Sequence, residues 1–211
     1  MKKAKLALSA IVFLFVCAFC TTAFAQADKT GLIVRGGLEV PIYAGASVKV
    51  GDTDMGVGAL TAVGPGIDIA FGYRWMYFGL LLEQQFGVIF ATDEALKAKW
   101  KPDKDYIIDK GDPAFLGSTY FLLEEYIPIG SEFMITIGQG LGASYGSGQN
   151  LLYVTDTDAA FAFKVELGLT YFLFGQHGLG INFEWAGSLA FDDGVSFSAT
   201  YNPMLTYTAI F

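Results

Sequence analysis

The chain has 211 residues, among them 26 glycines, 19 phenylalanines, 11 tyrosines and two cysteines, with a formal charge of −8. This length permits a single domain. The acidic balance excludes nucleic acid as a partner, because such binding requires a basic surface.

The N-terminal segment reads as a leader. Lys2, Lys3 and Lys5 precede an apolar run to about Cys20, which is followed by the small-residue site Ala23-Phe24-Ala25. Residues 1–25 are therefore predicted to be a secretory signal peptide, leaving a single domain over residues 26–211. Phe19 before Cys20 and Val16 before Cys17 do not provide the small residue that a lipid-acceptor cysteine needs. Cleavage takes both cysteines away, so no disulfide can form in the mature chain. It also removes three lysines, which brings the charge to −11. The mature chain contains no 18-residue apolar stretch, and ordinary spanning helices are excluded.

In chain order, eight segments show strand-like composition, and most of them alternate with period two. They lie at about 32–42, 66–75, 77–90, 115–126, 133–145, 160–174, 179–191 and 196–211. Their lengths suit a tilted crossing of a bilayer, which takes roughly 9 to 11 residues. The connections after the first, third and fifth are long, and those after the second, fourth and sixth are brief. Long loops at one rim and short turns at the other are the connectivity of an outer-membrane barrel. The last hairpin, at "DDG", is the one short connection on the long-loop side. The predicted fold is all-β: an eight-stranded antiparallel transmembrane β-barrel with short periplasmic turns, longer extracellular loops and both termini periplasmic.

The alternation separates two surfaces. In the seventh segment Leu179, Ile181, Phe183 and Trp185 share one face, while Gly180, Asn182, Glu184 and Ala186 share the other. A soluble barrel would place its bulky face inward. Here the polar face is compact and eight strands enclose little room, so the bulky face points to lipid. Parity then sends Arg35, Glu39, Asp68, Arg74, Glu83, Gln85, Lys164, Glu166 and Glu184 inward. Buried charges need partners or water, so these groups are read as an interior network that plugs the barrel, with a charged pore lining as the alternative. In hydrocarbon a sheet must close. The terminal "YTAIF" therefore reads as a closing strand that presents Tyr207, Ala209 and Phe211 outward, with the rings near an interface.

The fourth segment, "FLGSTYFLLEEYIPIG", does not alternate cleanly; a bulge that shifts its parity would satisfy both halves. Gln84 and Gln139 fall on otherwise apolar faces. Pro41 and Pro203 each remove a backbone donor near the closing seam. They read either as harmless edge positions or as a lateral seam through which an apolar solute passes.

No catalytic residue, cofactor site or metal site is predicted. His177, in "FGQHG", has no nucleophile paired with it and reads as a turn residue. Asp52, Asp54, Asp156 and Asp158 sit in loops that match no complete calcium-binding pattern. Lys97, Lys99, Lys101, Lys104 and Lys110, with Trp100 and Tyr106, form a basic loop segment. It is either solvated or a contact for anionic lipid headgroups.

The "AFA" site, the alternating strands and the terminal "YTAIF" together resemble the small eight-stranded outer-membrane barrels of Gram-negative bacteria, including the membrane domain of outer membrane protein A. The resemblance implies residence in the outer membrane, among its lipids and lipopolysaccharide. It also implies that the barrel-assembly machinery recognises Tyr207, Ala209 and Phe211. It does not choose between a nonenzymatic structural or surface-interaction protein and a passive channel or lateral carrier of small apolar solutes.

Overall fold

A computed structural model describes residues 29–48, 59–92, 98–101, 104–106, 113–147, 159–173, 176–191 and 195–211. The predicted leader and the aspartate pairs at 52/54 and 156/158 lie outside the described residues, as do Lys97 and Lys110.

All regular structure among the described residues is β. The strands are β1 (Gly31–Glu39), β2 (Ile42–Val48), β3 (Ala59–Val63), β4 (Gly66–Trp75), β5 (Phe78–Ala91), β6 (Ala98–Lys101), β7 (Lys104–Tyr106), β8 (Pro113–Ile129), β9 (Phe133–Ser147), β10 (Ala159–Leu173), β11 (His177–Phe191) and β12 (Val195–Ile210). β1 with β2 forms the first crossing and β3 with β4 the second. β5, β8, β9, β10, β11 and β12 supply the other six. Neighbouring crossings pair antiparallel throughout, and β1 pairs with β12, so the sheet is a closed eight-stranded barrel. β6 and β7 form a separate two-stranded ladder.

The first two crossings are longer than their sequence suggests. β2 pairs with β12 from Ile42↔Tyr201 to Val48↔Val195, and β3 pairs with β2, so wall occupies much of what reads as a loop after Ile42. The register is the same on both sides of each strand break: Glu39 faces Met204 and Ile42 faces Tyr201, while Glu39 faces Gly66 and Ile42 faces Val63. Proline, which carries no N–H, interrupts the ladder without shifting it.

Closure is direct at the chain end. Leu32 N–H donates to Phe211 O at 3.0 Å and Phe211 N–H returns to Leu32 O at 2.8 Å. The first short turn joins Trp75 to Phe78 through Met76, which sits at φ 50°. The Thr30 hydroxyl accepts from Met76 N–H at 3.3 Å, and Arg74 Nε donates to Met76 O at 2.9 Å, which holds that backbone in place. Gly130, at φ 68°, makes the second turn.

The outer face carries bulky apolar side chains in the open: Phe121 is 68% exposed, Leu38 66% and Ile181 63%. A band of this kind around a closed sheet is the lipid-facing surface of a membrane barrel. The barrel is therefore an integral outer-membrane protein. No helix among the described residues is long and apolar enough to cross a membrane, an observation that bears on helices alone.

The fourth crossing carries no bulge. β8 keeps one register with β5, from Phe78↔Glu125 to Phe90↔Pro113, and one with β9, from Phe115↔Ser147 to Ile129↔Phe133. Tyr120, Leu122, Glu124 and Tyr126 are buried in the lumen, while Phe121, Leu123 and Glu125 face outward. The predicted parity shift is unnecessary because this strand has large apolar groups on both faces.

Candidate functional site

The alternation that puts bulk outside gathers charge inside. Arg35 on β1 reaches across the lumen. Its Nη1 donates to Glu124 Oε1 on β8 at 2.6 Å and to Glu166 Oε1 on β10 at 2.8 Å; its Nη2 donates to Glu83 Oε2 on β5 at 2.7 Å. Nε lies 3.7 Å from Asp68 Oδ1 on β4. Two crossings lie between β1 and β8 around one side and two between β1 and β10 around the other, so a single guanidinium ties opposite walls together. Its planar fork of donors suits several carboxylates at once.

Lys164 on β10 forms the second hub. Nζ bonds Glu83 Oε1, donates to Glu184 Oε2 on β11 at 2.6 Å and lies 3.1 Å from Glu166 Oε2. It also stands 5.2 Å from the centre of the Tyr120 ring. Gln85 Nε2 donates to Glu184 Oε2 at 2.6 Å and Asn202 Nδ2 to Glu184 Oε1 at 2.8 Å, while the Tyr126 hydroxyl donates to Glu124. The backbone of β9 makes room for the hub: a Cβ at Gly140 would stand 3.0 Å from Lys164 Cγ, and one at Gly138 would collide with Glu166.

Arg35, Asp68, Glu83, Lys164, Glu166 and Glu184 thus meet in one cluster. Arg74 lies apart, near the short turns, with its guanidinium 4.5 Å from the centre of the Tyr126 ring. Glu39 is buried and folds over Gly66. Sequence reasoning left Glu124 undecided beside Glu125 and passed over Asn202 and Tyr126. Only the inward parity of β8 and β12 marks them.

Apolar layers flank this polar tier. Toward the short turns, Ile33, Met134, Phe172 and Ile210 are buried. Lys29, below β1, places Nζ 5.3 Å from the centre of the Phe172 ring. Burial, followed by the nearby Arg74 charge, pushes its ammonium below the ordinary lysine range. Toward the long connections, Tyr43, Ala62, Ile89 and Ala114 pack together.

The outlying Gln84 has its own partners on the lipid face. It donates to Ser118 O at 2.8 Å, accepts from the Thr119 hydroxyl at 2.7 Å and bonds the Tyr145 hydroxyl. Gln139 faces outward and is exposed. Tyr207 is exposed, Ala209 is covered opposite His177, and Phe211 is 68% exposed. The His177 ring stacks on Tyr207, with Nδ1 2.6 Å from its hydroxyl. Among the described residues, no group of three or more His, Cys, Asp or Glu is arranged to hold a metal ion. Lys99, Trp100, Lys101 and Lys104 fall on the β6–β7 ladder, of which only the backbone is described.

At the closing seam, Val40 N–H donates to Pro203 O at 3.2 Å, and paired strands continue above and below.

No protein-family model and no curated protein matches the sequence. Two solved structures share the architecture. Neisserial surface protein A aligns with TM-score 0.58 at 13% identity over 86% of this chain and 97% of that one. The outer membrane protein OprG of Pseudomonas aeruginosa aligns with TM-score 0.56 at 13% identity, over 88% and 98%. Identity this low speaks for the fold alone. With its closed sheet and its apolar exterior, the chain is an eight-stranded antiparallel barrel resembling these small bacterial outer-membrane barrel proteins.

Proposed function

We propose that this is a nonenzymatic outer-membrane protein with a structural or surface-interaction role, its short turns and both termini on the periplasmic side and its long connections outside. The supporting observation is the Arg35 hub. A guanidinium bonded to carboxylates on β5, β8 and β10 fills the middle of the lumen, and the apolar layers on either side add to the obstruction. In this reading the interior network of Arg35, Glu39, Asp68, Arg74, Glu83, Lys164, Glu166 and Glu184 is a plug, and function belongs to the surface. Outer-membrane lipid and lipopolysaccharide surround the apolar belt. The basic segment with Lys97, Lys99, Trp100, Lys101 and Lys104 meets anionic headgroups, and the strand ending in Tyr207, Ala209 and Phe211 is presented to the barrel-assembly machinery.

Flux measurements on reconstituted vesicles test this reading. Small hydrophilic solutes and ions are expected to cross no faster than in protein-free vesicles. Saturable or size-limited flux that depends on the protein would overturn the reading.

A second reading, a lateral carrier of small apolar solutes, is favoured by one observation: prolines interrupt the wall at Pro41 and Pro203, and also at Pro65. Uptake of a small apolar solute into protein-containing vesicles, compared with protein-free ones, separates the two readings.

A further inference from the structure

The register fixes how deep each residue sits in the membrane. Followed across the sheet from strand to strand, Phe78 lies opposite Glu125, then Ile137, Leu167, Phe183 and Pro203, and through Val40 and Pro65 the line returns to β5 at Val88. One circuit climbs from position 78 to position 88, a stagger of ten residues. Eight crossings with that stagger tilt by about 43°, and each residue then rises about 2.4 Å along the barrel axis.

On this scale Gln139 lies in the middle of the lipid belt. From Phe78, two steps around the barrel lead to Ile137 and two residues up β9 lead to Gln139, about 11 Å above Phe78 in a band about 25 Å tall. Aromatic rings mark both ends of its outward row. Phe133 stands near the short turns against Tyr171, ring centroids 4.9 Å apart, and Tyr145 stands toward the long connections. Gln139 is six residues from either one.

Gln84, at a similar depth, is satisfied within its own wall by Ser118 O, the Thr119 hydroxyl and Tyr145. Gln139 has no such support. Its exposed carboxamide makes no hydrogen bond among the described residues, and Leu123, Val165, Ile137 and Leu141 around it are apolar. The nearest outward acid is Glu125, about 3 Å above Phe78; reaching Gln139 would draw its carboxylate toward the midplane, where charge is costly. At this depth no water reaches the amide, and an unpaired polar group in hydrocarbon is expensive.

We propose that Gln139 is the centre of an interface with a second copy of this chain. A carboxamide carries both donor and acceptor, so two Gln139 side chains facing each other across a twofold axis along the membrane normal close a pair of reciprocal bonds. Such an axis sets Phe121 and Leu123 on the β8 flank of one copy against Val165 and Leu167 on the β10 flank of the other. Apolar surface gains little by leaving lipid for protein, so the paired amides hold the copies together and the hydrocarbon around them only fits. A second copy supplies the partner that neither lipid tail nor water can.

Cross-linking of the mature protein in lipid vesicles tests the proposal, since both cysteines of the sequence precede residue 26. With a short bismaleimide, Leu141→Cys, beside Gln139, is expected to give at least tenfold more dimer than Leu38→Cys, which faces lipid at a similar depth on the opposite wall. Adding Gln139→Leu should lower the Leu141→Cys dimer at least tenfold, whereas Gln139→Asn, which keeps a carboxamide, should recover part of it. Circular dichroism reports whether each variant folds. Equal yields at positions 141 and 38 would overturn the proposal, and that comparison leaves Gln139 in place, so it decides the matter even if Gln139→Leu does not fold. A dimer that a folded Gln139→Leu variant forms as readily would overturn it as well.

Discussion

Arg35 makes contacts that no other lumen residue can replace. Replacing it with alanine takes the guanidinium from four buried carboxylates, Glu83, Glu124, Glu166 and Asp68, of which Glu83 and Glu166 keep Lys164, and loss of one partner from a buried ion cluster costs about 3–5 kcal/mol. Urea unfolding of Arg35→Ala in lipid vesicles should show a loss of that size; a loss below about 1 kcal/mol would mean that the acids find other compensation. On the lipid face, Thr119→Val removes the donor to Gln84 Oε1 while keeping the shape, and an acceptor left unpaired costs about 1–3 kcal/mol. The same unfolding assay should register it, whereas an unchanged midpoint would mean that the Gln84 carbonyl is already hydrated. Met76 at φ 50° pays for a left-handed backbone that glycine adopts freely, so Met76→Gly should raise stability by about 1 kcal/mol. A loss instead would show that the Met76 side chain contributes more than its backbone costs.

Strands were legible where each face kept one character. In β10 and β11 the inward set is small or charged and the outward set bulky, so Lys164, Glu166 and Glu184 could be assigned inward by counting in twos. β8 defeats the same count because Tyr120, Leu122 and Tyr126 fill the lumen with bulk that the outer face also carries. Its parity follows from its neighbours: Glu124 lies beside Gly79 and Gly138. β2 and β3 were hidden for another reason. Pro41 and Pro65 read as strand ends, yet a proline deletes a single bond from a ladder and leaves the register intact. The pairing of "YAGAS" with the first half of β12 depends on residues about 150 positions away.

At the scale of the whole barrel, the polar network depends on the choice of lipid face, because acids and bases meet across the lumen only if every crossing turns its compact face inward. A reversed sheet would drive Ile181, Phe183 and Leu205 together and put Arg35 and Lys164 in hydrocarbon. One experiment addresses this directly: nitroxide labels placed singly along β11 of the bilayer-embedded protein, at Ile181→Cys and Phe183→Cys and at Asn182→Cys and Ala186→Cys, read by collision with oxygen dissolved in lipid. High collision rates at 181 and 183 with low rates at 182 and 186 are the predicted result. The opposite alternation, or equal rates at all four, would contradict the barrel described here.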